Sequence, residues 1–474
     1  MPPVEPNNAS GLQRTAPTVL PVAVLVSATL LAYANSFSGP FVFDDIATIV
    51  DSPSIRTLSP VWPVLFQGGV SSVGRPLVNL SLALNYAWGG MDVTSWHVVN
   101  LTLHIVAGIT FFGVIRRTLE QSPVAASLRD HGTVIAMFCS LIWLLHPLQT
   151  ESVTYIVQRA ESLAGLFYFL TLYFAIRSAS SERSGLWGTA AFLACLCGVG
   201  SKEVIVSAPL AVIVYDWALF GRTIRSVSHR RRWLYAALFS TWIPLIFLVA
   251  QGRHESAGFG YGLGAWDYAM TQFGAITRYL YLCFWPNSLV LDYGASVTRN
   301  ASEIIPGAII VGLLAGGSVA AIRYQPWVAF LGFFFFAVLS PSSSFIPLVT
   351  QTVAEHRMYL PLASVVVIAV LIVWHLCRAI LRKLYPGPSE TGSVIACVVL
   401  ALIAIYSGYL TKERNAEYKD PIRLWTSNIE RCTESLRPYI QVGALYLEQN
   451  PRTAIYLFDR AIEGYQQTQE RNGV

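Results

Sequence analysis

The chain has 474 residues, 54% hydrophobic and 12% charged, with a mean hydropathy of +0.51 and a formal net charge of +5. Soluble domains carry about twice that charged fraction, so a water-soluble enzyme is excluded, and long apolar runs along the whole length indicate a polytopic α-helical membrane protein. The basic surplus sits in short loops between those runs and is no nucleic-acid footprint; the seven cysteines form no framework, Cys195-x-Cys197 lacking redox or zinc spacing.

Taken in order, residues 1–17 are rich in Pro, Asn and Ser and read as a disordered cytoplasmic tail. A first span covers 18–34. Its end, Ala32-Tyr33-Ala34, fits a signal-peptidase site, but Arg14 is the sole basic residue ahead of it and the run is long for a signal peptide, so the span is read as retained. Directly after it comes G-P-F-V-F-D-D-I-A-T-I-V-D (39–51), with Asp44 and Asp45 at the mouth of the membrane domain. Ionised aspartate is costly near hydrocarbon, which marks the pair for function, although an acidic solvated loop would read the same way in isolation.

Two short amphipathic segments, 58–66 and 75–88, follow in this first outer loop and are expected at the membrane interface. Further spans are expected at about 96–115, 133–145, 163–176, 186–199, 204–219 and 233–250. A second long polar loop, 251–302, holds another amphipathic piece near 266–284. Spans at 303–322, 327–339, 359–376 and 394–410 bring the total to about eleven. Arg116, Arg117, Arg129, Arg177, Arg183, Arg222, Arg225, Arg230, Arg231, Arg232, Arg323, Arg378, Arg382 and Lys383 fall in alternate loops, which places the N-terminus inside and the C-terminus outside.

From about 411 to 474 the composition turns to soluble helix. Asp420-Pro421 and Asn450-Pro451 each read as an N-cap followed by a first-turn proline. Val442, Gly443 and Tyr446, then Ala454, Phe458 and Ala461, fall near a tetratricopeptide pattern, and a generic helical hairpin is the alternative. One such repeat cannot cover its own apolar face, so it is expected to pack on the outer loops.

With this topology the unusual polar groups share the outer face. They are Asp44 and Asp45; Arg75; His146 and Glu151, with Arg159 and Glu161 beyond; Lys202 and Glu203; and Glu355, His356, Arg357 and Tyr359. Each has a structural explanation alone, such as an interfacial Lys202 or a capping His146. Together, carboxylates and cations on one face suit the activation of a hydroxyl and the expulsion of a phosphate. Asp45, His146, Glu151 and Glu355 have the donor types for a divalent metal, but no tight spacing supports one, and metal use stays open.

The stretches F-V-F-D-D-I-A-T-I (41–49), R-P-L (75–77), W-H-V-V-N-L-T-L-H (96–104), H-P-L-Q-T-E-S-V (146–153), S-K-E (201–203) and E-H-R-M-Y-L-P (355–361) occur in that order. Together they resemble the transmembrane-and-TPR-containing O-mannosyltransferases and their bacterial GT-C glycosyltransferase relatives. The resemblance implies a GT-C-like helical domain over 18–410 and inverting transfer of mannose or a similar hexose. The implied donor is a polyprenyl- or dolichyl-phosphate sugar, and the acceptor a protein or glycan hydroxyl at the outer face of a lipid membrane. It further implies an aspartate base, Asp44 before Asp45, and candidate phosphate-binding cations Lys202, Arg159, Arg357 and Arg75, with His356 beside them. Glu355 joins the aspartates as a candidate catalytic carboxylate, orienting a cation or the acceptor, and His146, Glu151, Glu203 and Tyr359 are left as orienting or acceptor-side groups. At one position the family pattern is broken: His356 follows Glu355 where arginine is usual, and Arg357 comes one residue later, a turn of about 100° on a helix. A flippase or transporter of lipid-linked glycans and a non-catalytic repeat-bearing scaffold are the alternatives. The single repeat and the E-H-R-M variant favour a bacterial plasma membrane over the endoplasmic reticulum. The N-x-S/T tripeptides at Asn8, Asn79, Asn100 and Asn300 do not decide between them.

Overall fold

A computed structural model describes residues 18–220, 224–252, 264–294, 297–348, 351–384 and 390–472. The expected tail over 1–17, Asn8, Arg14, Arg222 and Arg253 lie outside the described residues, as do the side chains of Arg225 and Arg230. The chain is all-α. Helices α1 (Val19–Tyr33), α2 (Val61–Phe66), α3 (Pro76–Gly89), α4 (Val93–Gln121), α5 (Gly132–Leu145), α6 (Thr150–Val153) and α7 (Arg159–Ser180) form the first half. Then come α8 (Ser184–Val199), α9 (Ala208–Phe220), α10 (Ile224–Ser240), α11 (Trp242–Gly252), α12 (Ala265–Phe284), α13 (Ala301–Tyr324), α14 (Pro326–Leu339), α15 (Leu362–Leu384) and α16 (Glu390–Glu417). The C-terminal unit is α17 (Pro421–Arg431), α18 (Arg437–Tyr446) and α19 (Pro451–Asn472).

Among the described residues eight helices are long and apolar enough to cross a membrane, and α1, α8 and α14 are shorter apolar helices. Each falls on one of the apolar runs of the sequence. Burial separates them by depth in the bundle. The core helix α5 is apolar almost all round, buries all but Thr133, Val134 and Met137, and packs against α1, α4, α15 and α16. By contrast α13 buries only Gly307 and Val311 and exposes Ile305, Ile309, Leu313 and Val319. A helix apolar on every face and exposed on nearly all of them is stable only against lipid. At 29 residues α4 is about 43 Å long, more than the ~30 Å hydrocarbon core, and its start is capped by Asp92, whose carboxylate accepts from Thr94 N.

One boundary moves. The sequence places the end of the last span at 410, yet α16 runs unbroken to Glu417. Hydropathy falls there, but helical hydrogen bonding need not end where lipid ends, and the extra turns are held by the bundle. Thr411 Oγ1 donates to the Leu145 carbonyl at 2.7 Å, and Thr154 Oγ1 donates to Asn415 Oδ1 at 2.6 Å. Beyond it, the Asp420 carboxylate accepts from Ile422 N and Asn450 Oδ1 from Thr453 N, the expected N-caps of α17 and α19. A Cβ on Gly443 would sit 2.6 Å from the Phe458 ring, so only glycine lets α18 lie this close on α19.

Candidate active site

The loop that follows α1 holds Asp44 in a defined backbone setting. Phe43 has φ 49°, and a π-helical turn, Ile46–Val50, follows. A Cβ on Gly69 would meet the Thr48 backbone at 2.6 Å, so glycine there brings the 69–75 segment against the aspartate loop. Ser71 N then donates to Thr48 Oγ1 at 3.2 Å, and the Ser71 side chain hydrogen-bonds the Asp44 carboxylate. Tyr155 completes the set: its hydroxyl accepts from Asp44 N at 3.0 Å and donates to the Asp44 side chain. Burial raises the Asp44 pKa above its ordinary 3.8, opposed by Ser71, Arg437 and Tyr155 and reinforced by Asp292. The neighbouring Asp45 is fully buried. Its two oxygens accept from Val42 N at 3.0 Å and Val157 N at 2.7 Å, so it ties the loop to the start of α7.

The polar chain continues from Ser71, whose carbonyl accepts from Arg75 Nη1 at 3.0 Å. Leu77 N donates to the Gly200 carbonyl at 2.8 Å, which fixes the start of α3 on the turn after α8. Arg75 therefore faces Glu203 at 3.4 Å, with Glu203 the more exposed of the two. Lys202 Nζ contacts Glu161 at 2.5 Å, and the same Glu161 oxygen lies 3.9 Å from His356 Nε2. On the far side, Glu151 grips His356 twice, at the backbone N–H and at Nδ1, both at 2.7 Å. Burial pushes Glu151 up and His356 down, so both favour their neutral forms. Asp44, Ser71, Arg75, Glu203, Lys202, Glu161, His356 and Glu151 thus form one contiguous polar path, more open at Arg75 and Glu203 and closed at Glu151.

Other residues singled out in the sequence are placed elsewhere. Arg159 is fully buried and donates to Asn100 Oδ1, Asn85 Oδ1, Ser81 O and Trp96 O, all neutral, which leaves it fastening α3 and α4 to α7. Arg357 donates to the carbonyls of Ser342, Thr352 and Gln351 and holds that loop. Tyr359 is buried, its hydroxyl on His104 Nδ1 and its carbonyl on Trp143 Nε1. His146 Nδ1 accepts from Leu148 N, so Nε2 carries the proton donated to Cys283 O; burial lowers its pKa to about 4. Glu355 accepts from Val290 N and Tyr293 OH, both at 2.6 Å, and orients the 290–293 loop. Asn79 and Asn100 are fully buried, which removes them as glycan acceptors.

The candidate metal ligands do not fit a metal. Asp45 and His146 have their donor atoms engaged by main chain, and among the described residues no three of His, Cys, Asp and Glu are grouped to hold an ion. Sequence reasoning missed Ser71, Tyr155, Asp292, Arg414 and Arg437. The Gly68-Gly69 pair was a usable signal for Ser71; nothing in T-Y-I-V marks Tyr155.

Comparison with known proteins follows the same direction. No family model matches the chain. A protein O-mannosyl-transferase of Caenorhabditis elegans is 24% identical over 446 residues, covering 89% of this chain and 59% of its own length. Protein O-mannosyl-transferase Tmtc3 of Drosophila melanogaster is 24% identical over 514 residues, covering 92% and 54%. Protein O-mannosyl-transferase TMTC2 of Mus musculus is 33% identical over 218 residues, covering 42% and 24%. The chain therefore spans little more than half the length of the first two relatives. A solved structure of ArnT from Cupriavidus metallidurans bound to undecaprenyl phosphate aligns over 95% of this chain and 76% of its own, at 14% identity and a TM-score of 0.45. Over nearly its whole length the chain is thus similar in sequence to proteins named protein O-mannosyl-transferases.

Proposed function

We propose that this chain is a GT-C type glycosyltransferase that moves a hexose, mannose being the first choice, from a polyprenyl-phosphate donor to a protein hydroxyl. The observation that carries the reading is the run of polar groups from Asp44 through Ser71 and Arg75 to Glu203, continued from its chain neighbour Lys202 through Glu161 to His356. A candidate base and two candidate cations along that path support the reading. The names of the sequence relatives support the same chemistry.

The acceptor oxygen attacks the anomeric carbon while the bond from that carbon to the phosphate oxygen breaks. Its proton passes to an Asp44 oxygen, and the lipid phosphate leaves with the bonding electrons. A single displacement inverts the anomeric centre. A carboxylate with a raised pKa is the better base near neutral pH. Of the four cations considered for the phosphate, Arg75 is the most available. Its contacts to Glu203 at 3.4 and 3.5 Å are longer than the ~2.8 Å of a charge-assisted bond, so a phosphate oxygen can replace them. Lys202 adds a second charge. The site then lies on the extracytoplasmic face, with the N-terminus inside and the C-terminus outside, in a bacterial plasma membrane by preference.

The test uses purified protein with polyprenyl-phosphate mannose and a Ser/Thr peptide. Asp44→Asn is expected to lower kcat about a hundredfold or more. Arg75→Ala should raise the donor KM about tenfold, whereas Arg159→Lys should lower the melting temperature and leave that KM alone. Full transfer by Asp44→Asn would remove the base assignment.

A further inference from the structure

We propose that the C-terminal helical unit is part of the active site, with Trp425 and Arg437 acting as positioning residues that clamp Phe43 and so aim Asp44. The proposal rests on the reading of Asp44 as the base. Phe43 is the one non-glycine residue with positive φ among the described residues, at 49°. A bulky aromatic in the left-handed region is strained and persists only where its surroundings hold it.

The clamp comes from two sides. The Phe43 ring meets the buried Trp425 edge-to-face, with centroids 5.5 Å apart at 81°. The Arg437 guanidinium lies over the same ring, 5.2 Å from its centroid. That cation is held in turn by Asp292 at 2.5 Å, whose carboxylate also accepts from Gly294 N and Ser435 Oγ. Gly294 has φ 75°, and a Cβ there would lie 3.2 Å from Ser435 Cα, so this turn and the start of α18 fit only through glycine. Asn428 adds three bonds to the same loop: Oδ1 accepts from Leu291 N and Asp292 N, and Nδ2 donates to Asp292 O. Directional bonds of this number fix orientation in a way that apolar docking of a hairpin does not need.

The charge arrangement points the same way. The groups facing Asp44 are Asp45 on its own loop, Ser71, Tyr155, Arg437 and, beyond Arg437, Asp292. Arg437 favours the ionised base and Asp292 opposes it. Loss of the cation should therefore move the acidic limb of the kcat-pH profile to higher pH, and loss of the Asp292 charge should move it lower. A purely structural role predicts no such opposition.

The experiment combines hydrogen–deuterium exchange of segment 40–50 with the transfer assay on the full chain. Trp425→Ala and Arg437→Gln are expected to raise exchange over 44–50 about tenfold and to lower kcat about tenfold with donor KM within about twofold. Arg437→Gln and Asp292→Asn should shift the acidic limb in opposite directions, Arg437→Lys should restore it, and Arg460→Gln on α19 should change neither readout. Unchanged exchange in the folded Trp425→Ala and Arg437→Gln proteins overturns the clamp, whatever the assay gives. If either fails to fold, Asp292→Asn decides by the same exchange readout. An active Asp44→Asn with raised exchange in the clamp variants overturns the base assignment instead and leaves the clamp standing.

Discussion

Asp44 and Asp45 are adjacent in sequence, yet Asp45 has both oxygens on main-chain N–H groups while Asp44 faces side chains. Asp45→Asn puts an amide donor against the N–H of Val42 or Val157, at a cost of about 1–3 kcal/mol. Burial raises the Asp45 pKa from 3.8 to about 7. The folded chain therefore holds that proton more tightly than the unfolded one. The resulting stability is full below the unfolded value and lost as pH rises through about 7. In thermal melts the gap between wild type and Asp45→Asn should narrow between about pH 4 and about pH 7; a constant gap would rule out this titration. The sequence supplied the pair but could not rank its members, because the ranking depends on where Val157 N lies. Arg159 and Arg357 show the same gap in a different form: a cation between apolar spans reads as a ligand site until its neutral partners, distant in sequence, are seen.

At the scale of elements, the eight long apolar helices among the described residues each fall on a run legible in the sequence, because a helix in lipid must satisfy its backbone internally and advertises its length as hydropathy. The end of α16 was not, since its last turns are stabilised by Leu145, Thr154 and the C-terminal unit. That end forms a joint. Glu417 accepts from Arg414, from Arg431 at 2.6 and 3.1 Å, and from Ser427. Arg414 is buried and bonds Glu417 through Nη1, while its Nε and Nη2 have no hydrogen-bond partner. Glu417→Ala removes the carboxylate hydrogen-bonded to that guanidinium and leaves only the more distant Glu355 and Glu151 near it; removal of one partner from a buried pair costs up to about 3–5 kcal/mol. A clear drop in melting temperature is expected, with Glu417→Gln intermediate; equal melting of all three would show the joint to be dispensable.

Over the whole molecule, the chain arranges a lipid-facing shell around α5 and caps one end with loops and the C-terminal unit, where Val42, Tyr155, Val157, Leu291, Tyr418, Leu424, Trp425 and Val442 share one apolar cluster. The basic residues cluster in alternate loops between the spans, which sets the expected orientation. A single cysteine introduced as Arg460→Cys, with Cys432 replaced by serine, should react with a membrane-impermeant maleimide from outside sealed cells; labelling only after lysis would invert the orientation. Membrane class, the order and position of the helices, and the list of chemically capable residues were determined by sequence alone, since each depends on local hydropathy and residue type. Only the tertiary structure decided which of those residues lie together and which are taken up by neutral partners. Hydrogen bonds between segments more than a hundred residues apart, such as Tyr155 to Asp44, satisfy some charges with main chain and leave others facing one another.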